Sequence, residues 1–120
     1  MNVEHELTST KAWMAVLALD LQLYKGSIYK QRWGTPGGLD QALPCYDEAL
    51  KVLDGSVWPS GLEGAADELK VKIAAFRATL AEKDVTTASA QQSRMMMAFD
   101  ALRDGVRAWP DNGDGADSDS

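Results

Sequence analysis

Residues 60–109, SGLEGAADELKVKIAAFRATLAEKDVTTASAQQSRMMMAFDALRDGVRAW, decide the fold. Leu62, Ala66, Leu69, Ile73, Phe76 and Leu80 recur at steps of four and three. After one slip of phase the rhythm resumes at Val85, Ala88, Gln92, Met95, Phe99, Leu102, Val106 and Trp109. An α-helix turns once in about 3.6 residues, so each set lines one stripe of an amphipathic helix, and two such helices bury their stripes by folding back on one another. Continuing the first phase would carry Thr87 and Arg94 inward, which places the turn between Asp84 and Thr87. Ser60 and Glu63 have the spacing of a capping box and mark the start of the first of these helices; Ser89 and Gln92 repeat it just inside the second. Trp109-Pro110 ends the second.

Working toward the N-terminus, Asp54-Gly55-Ser56-Val57-Trp58-Pro59 is a break, and Thr35-Pro36-Gly37-Gly38 is another. Between them a helix carries Leu39, Leu43, Tyr46, Leu50 and Leu53 on one stripe, starting near Asp40 or at Pro44 so that the proline falls in the first turn, where free amides are normal. A first helix runs from about Thr8 or Thr10 to Trp33, with Glu4 and Glu6 near its positive end and Lys25, Lys30 and Arg32 near its negative end. Short connections make neighbours antiparallel. The predicted fold is all-α: an antiparallel up-down-up-down four-helix bundle over residues 1–110, followed by a disordered acidic tail over residues 111–120.

The first helix has two apolar strips. Trp13, Met14, Leu17, Leu21, Tyr24 and Ile28 form the expected core stripe, and Val16, Leu19 and Leu23 form a spare one on another side. Either this helix lies centrally among the others, or its spare strip is covered by another chain, a homodimer or a different protein.

Composition bounds the function. The chain has 120 residues, 45% of them hydrophobic, enough for one domain with a real core. Asp20 and Gln22 interrupt its most apolar stretch, so no membrane span is expected, and the acidic start Met-Asn-Val-Glu-His-Glu is unlike a signal peptide; the expected setting is cytoplasmic. A single Cys45 excludes an internal disulfide and a cysteine-rich zinc site. The net charge of -6 is concentrated in the tail, where Asp111, Asp114, Asp117 and Asp119 hold four of the eighteen acids, leaving fourteen against twelve bases in the body. Such a tail favours solubility. As a calcium loop it fails, since Gly113 and Ala116 fall where an EF-hand needs a ligand and a glycine, and no glutamate follows.

No chemistry-bearing constellation emerges. His5 is the only histidine and falls in a terminus expected to fray, away from Cys45 and the internal serines, so no nucleophilic triad, di-iron pair or haem attachment can be built. Gly34-Thr35-Pro36-Gly37-Gly38 lacks the lysine and the preceding strand of a phosphate loop. Asp47, Glu48, Asp67, Glu68, Asp100 and Asp104 fall on or beside polar faces, with Glu48–Lys51 and Asp100–Arg103 spaced for intrahelical pairing. No cofactor, metal or catalytic residue is expected.

Three patches are suited to binding. The end of the first helix mixes Tyr24, Lys25, Tyr29, Lys30, Arg32 and Trp33; the run Arg94-Met95-Met96-Met97 leaves Met96 or Met97 for a groove; and Trp58, beside Pro59, either caps the bundle end or stands out as an anchor. Leu23-Tyr24-Lys25-Gly26 with Ile28, and Leu102-Arg103-Asp104 before Trp109, resemble stretches near the two ends of flagellin-type export chaperones, although the spacing between them differs from that family's. The expected function is a non-enzymatic module that binds and masks or inhibits a protein partner, of immunity, phage-inhibitor or secretion-chaperone type. Its contact residues are Val16, Leu19, Leu23, Tyr29, Lys30, Arg32, Trp33, Met96, Met97 and Trp58. The alternatives are a ligand pocket or enzyme lined by Trp13, Tyr46, Met95 and Phe99, and nucleic-acid binding through Lys25, Lys30 and Arg32, which the near-balanced body charge disfavours.

Overall fold

The computed structural model describes residues 3–28 and 37–119, with side chains described throughout these except at 39 and 110–119. Four helices and no strand appear among them: α1 (Val3–Ile28), α2 (Gly38–Gly55), α3 (Glu63–Ala81) and α4 (Val85–Asp119). Among the described residues α1 packs on α2 and α4, α3 packs on α2 and α4, and the backbones of the diagonal pairs stay apart, an arrangement compatible with a bundle.

The stripes of α3 and α4 face inward as the spacing predicts. Ala66, Leu69, Ile73, Phe76 and Leu80 are buried on α3, and Ala88, Gln92, Met95, Phe99, Leu102 and Val106 on α4. On α2 the buried line is Ala42, Tyr46, Ala49 and Leu53, with Leu43 and Leu50 packed at its margin. The Tyr46 ring meets Phe76 edge-on, centroids 4.8 Å apart, and joins α2 to α3 in the middle of the core. At the surface the same helices are joined by a two-pronged ion pair: Arg77 Nε donates to Asp47 Oδ1 at 2.9 Å and Nη2 to Oδ2 at 3.2 Å. A second pair joins Lys70 to Asp54. The intrahelical pairs Glu48–Lys51 and Asp100–Arg103 form as spaced, at 3.4 and 3.2 Å.

Helix boundaries depart from the sequence reading in four places. α1 is already helical at Val3, several residues before Thr8, with Glu4 and Glu6 in its first turn offsetting the positive end of the macrodipole. His5 is half-buried and stacked on Trp109, centroids 4.2 Å apart, so this end of α1 is held against α4. Pro44 lies inside α2, well past its first turn. Its ring is exposed, and the Asp40 carbonyl deprived of a partner belongs to an exposed residue on that same face, where water can satisfy it. α3 starts at Glu63 rather than Ser60: Glu63 Oε1 accepts from the Gly61 amide at 2.7 Å, and a tight turn from Pro59 to Leu62 takes the place of the serine cap. Finally, α4 continues through Pro110 to Asp119, where a stop and an irregular tail are expected from the sequence. Proline deletes one amide-to-carbonyl bond and bends the ladder, but it does not oblige the chain to leave the helical path.

The turn between α3 and α4 occupies Glu82–Asp84, slightly before the Asp84–Thr87 stretch that the phase slip predicts, because Asp84 already caps α4 and Val85–Thr87 form its first turn. Lys83 adopts the left-handed region at φ 66°, its amide bonds the Leu80 carbonyl at 2.9 Å, and the Asp84 amide bonds the Thr79 carbonyl at 3.3 Å, which together close a Schellman motif. Asp84 then caps α4, its Oδ1 accepting from the Thr87 amide at 3.0 Å. A Cβ at a left-handed position is crowded against the following carbonyl, by about 1–2 kcal/mol, a cost that glycine avoids at some loss of unfolded-state entropy. Lys83→Gly is therefore expected to raise stability by about 0.5–1 kcal/mol, read as a higher urea midpoint with an unchanged slope.

Candidate functional site

α1 carries the feature that sets this bundle apart, and it reverses the sequence assignment. Val16, Leu19 and Leu23, expected as the spare strip, are at most 2% exposed and lie with Ala12, Ala15 and Gly26 against the other helices. The strip expected to face the core points outward. Met14 and Tyr24 are each 64% exposed, Leu17 52%, and Leu7, Leu21 and Ile28 similarly. Trp13, at the border, packs against the core while Arg107 lies over its ring at 5.7 Å. Nor is α1 central, since among the described residues its backbone comes close to those of α2 and α4 but not to that of α3.

The inward choice follows from size. Ala12, Ala15 and Gly26 are small and let α1 approach its neighbours, whereas a Cβ added at Gly26 would stand 2.5 Å from Tyr46 Cζ. A bulkier stripe of leucine, methionine and tyrosine could not be brought that close. These small residues are the feature of the sequence that marks the inward side, and only the packing against Tyr46 makes it decisive.

The outward face has a regular spacing. Val3, Leu7, Met14, Leu17, Leu21, Tyr24 and Ile28, with Thr10 filling the one gap, repeat as alternate steps of four and three. All eight are exposed, and they sit roughly 180° around the helix from the buried line. This stripe has the spacing of a coiled-coil seam, the same four-three rhythm as the buried line on the opposite side of α1. Over 26 residues it runs about 39 Å along α1. Beside its N-terminal half, an open groove of about 510 Å³ is lined by Glu4, Leu7, Thr8, Lys11 and the exposed Val57 of the α2–α3 connection.

The other sequence candidates are less concentrated. Tyr29, Lys30, Arg32 and Trp33 lie outside the described residues. Met96 is half-buried against the core, and Met97 is exposed. Trp58 is half-buried, packs against the core, and donates from Nε1 to the Leu53 carbonyl at 3.4 Å, the geometry of a lid on the bundle end. Tyr46, Met95 and Phe99, named for a ligand pocket, are closed within the packed core. Among the described residues no group of three or more His, Cys, Asp or Glu side chains is placed to hold a metal ion, and no helix is long and apolar enough to cross a membrane.

Among the described residues two buried side-chain oxygens are unsatisfied, Gln91 Oε1 and the Tyr46 hydroxyl. The Tyr46 hydroxyl has no hydrogen-bond partner, and burial, followed by the neighbouring Cys45, pushes its pKa up. Tyr46→Phe removes that orphan and is expected to stabilise the bundle by about 1 kcal/mol. The sign of the pH effect follows from the same burial. The folded-state pKa is raised above the unfolded value near 10, so the contribution is intact below about pH 10 and is lost as pH rises past it. Alkaline melts should therefore show Tyr46→Phe losing less stability than the parent protein above that pH.

Compared with models of protein families, with curated proteins and with solved structures, the chain matches none, so its reading rests on this geometry.

Proposed function

We propose that this chain is a non-enzymatic interaction module: an up-down-up-down bundle that binds a polypeptide along the outer face of α1 and, by covering that polypeptide's own apolar surface, masks or inhibits it. The observation that carries this reading is the exposed heptad stripe. Water solvates single surface leucines routinely, but a contiguous apolar strip along a whole helix is the mark of a face that is covered in use. Helix-in-groove or helix-on-helix recognition is the mode that such spacing serves. A reducing, cytoplasmic setting suits a lone buried Cys45, and the acidic tail suits a protein that must stay dissolved while exposing such a strip.

The test is comparative. The tagged chain and its Leu17→Glu/Leu21→Glu variant are purified in parallel from the native host. A polypeptide, whether another copy of the chain or a different protein, should be retained by the first and lost from the second. Identical sets of retained polypeptides would reject the outer face of α1 as the docking surface.

A further inference from the structure

We propose that the polypeptide covering the outer face of α1 is a second copy of the same chain, aligned in parallel as a two-stranded coiled coil. This rests on the interaction reading above and names its occupant. The residues bordering the seam decide it. In a parallel pair, a residue on one border faces the residue five positions further along on the other border of the opposite helix. Glu6 then meets Lys11 of the second copy, Trp13 meets Ala18, and Asp20 meets Lys25. Both charged pairs are of opposite sign, no like charges meet, and two-fold symmetry repeats each pair. Glu6, Lys11, Asp20 and Lys25 are all exposed, and among the described residues none of them forms an ion pair within its own bundle. The chain thus carries the complement of its own seam. The strip is also large enough: seven side chains with roughly 100 Å² exposed apiece give about 700 Å² per copy, near the 800 Å² typical of each side of a stable interface.

The intact chain is examined by sedimentation and light scattering over a dilution series. The expected mass is twice the 13.0 kDa of one chain. Leu17→Glu/Leu21→Glu should give the mass of one chain at unchanged helical circular dichroism. Two charge variants, which leave every apolar contact in place, guard against misfolding of the first. Glu6→Lys/Asp20→Lys and Lys11→Glu/Lys25→Glu should each weaken self-association at least about tenfold, and mixing the two should restore it as a heterodimer. A parent protein that stays at single-chain mass at every concentration overturns the second-copy assignment. In that event the interaction reading still stands or falls on the paired purification from the host. Undiminished self-association of Glu6→Lys/Asp20→Lys overturns the parallel alignment, because in the antiparallel alternative Glu4 meets Lys25 and these two substitutions leave that pair intact.

Discussion

Leu19→Glu/Leu23→Glu is expected to abolish cooperative folding, whereas Leu17→Glu/Leu21→Glu, two positions away in each case, should still melt cooperatively, within about 2 °C of the parent at dilutions where the parent is a single chain. All four are leucines on the same helix, and the difference is one of environment alone. Leu19 and Leu23 lie in the apolar interior with Val16 and Ala12. A buried, unpaired carboxylate costs several kcal/mol even after its pKa rises to neutralise it, and two of them exceed the roughly 5–15 kcal/mol by which a domain of this size is stable. In the single chain Leu17 and Leu21 face water, and there a glutamate loses only the partial burial of the leucine it replaces. Far-ultraviolet circular dichroism with thermal melts reads both variants. Cooperative, parent-like melting of Leu19→Glu/Leu23→Glu would show that the orientation of α1 is other than described.

The second large effect belongs to the contact between α1 and α2. Gly26→Ala should destabilise the protein by about 2 kcal/mol, against the ordinary gain of about 1 kcal/mol when alanine replaces glycine inside a helix. The added methyl would stand 2.5 Å from Tyr46 Cζ and 3.0 Å from Cε1. The ring cannot yield easily, because it is fully buried and held edge-on against Phe76. The two helices must separate or the ring must leave its rotamer, and either opens the core. A double-mutant cycle isolates the contact. In a Tyr46→Leu background the same glycine substitution should be neutral or stabilising, with a coupling of about 2 kcal/mol between the sites. Independent, additive effects would show that Gly26 is not required by the tyrosine.

How much of this was legible beforehand varies by element. α3 and α4 carry a single apolar stripe each, so periodicity both identifies the helix and orients it, and every buried residue from Ala66 to Val106 on these two helices was named from spacing. Phase alone put the turn at Asp84–Thr87, within about three residues of its place at Glu82–Asp84, although the left-handed Lys83 within it carries no sequence signal, since lysine is an uncommon occupant of that region. The Asp47–Arg77 ion pair was missed because its partners are thirty residues apart and belong to faces that read as solvated; only the packing of α2 against α3 brings them together. The candidate site was half legible. Two apolar strips on the first helix are plain in the sequence, and the inference that one of them is surplus to a bundle core follows from counting.

Which strip is surplus was decided by tertiary structure. Hydrophobic periodicity reports where apolar side chains point relative to one another around a helix, and it is blind to which way the whole helix is turned when opposite faces are both apolar. From its own pattern the chain determined that it would be helical, that α3 and α4 would pair, and that α1 would have two oily sides. The close approach of the neighbouring helices α2 and α4, Tyr46 seated over Gly26 above all, selected the small-residue side for the interior and turned the leucine, methionine and tyrosine stripe out to the solvent. Burial energy scales with area and would have favoured the bulkier face; interhelical distance overruled it, because a close-packed interior admits only what fits.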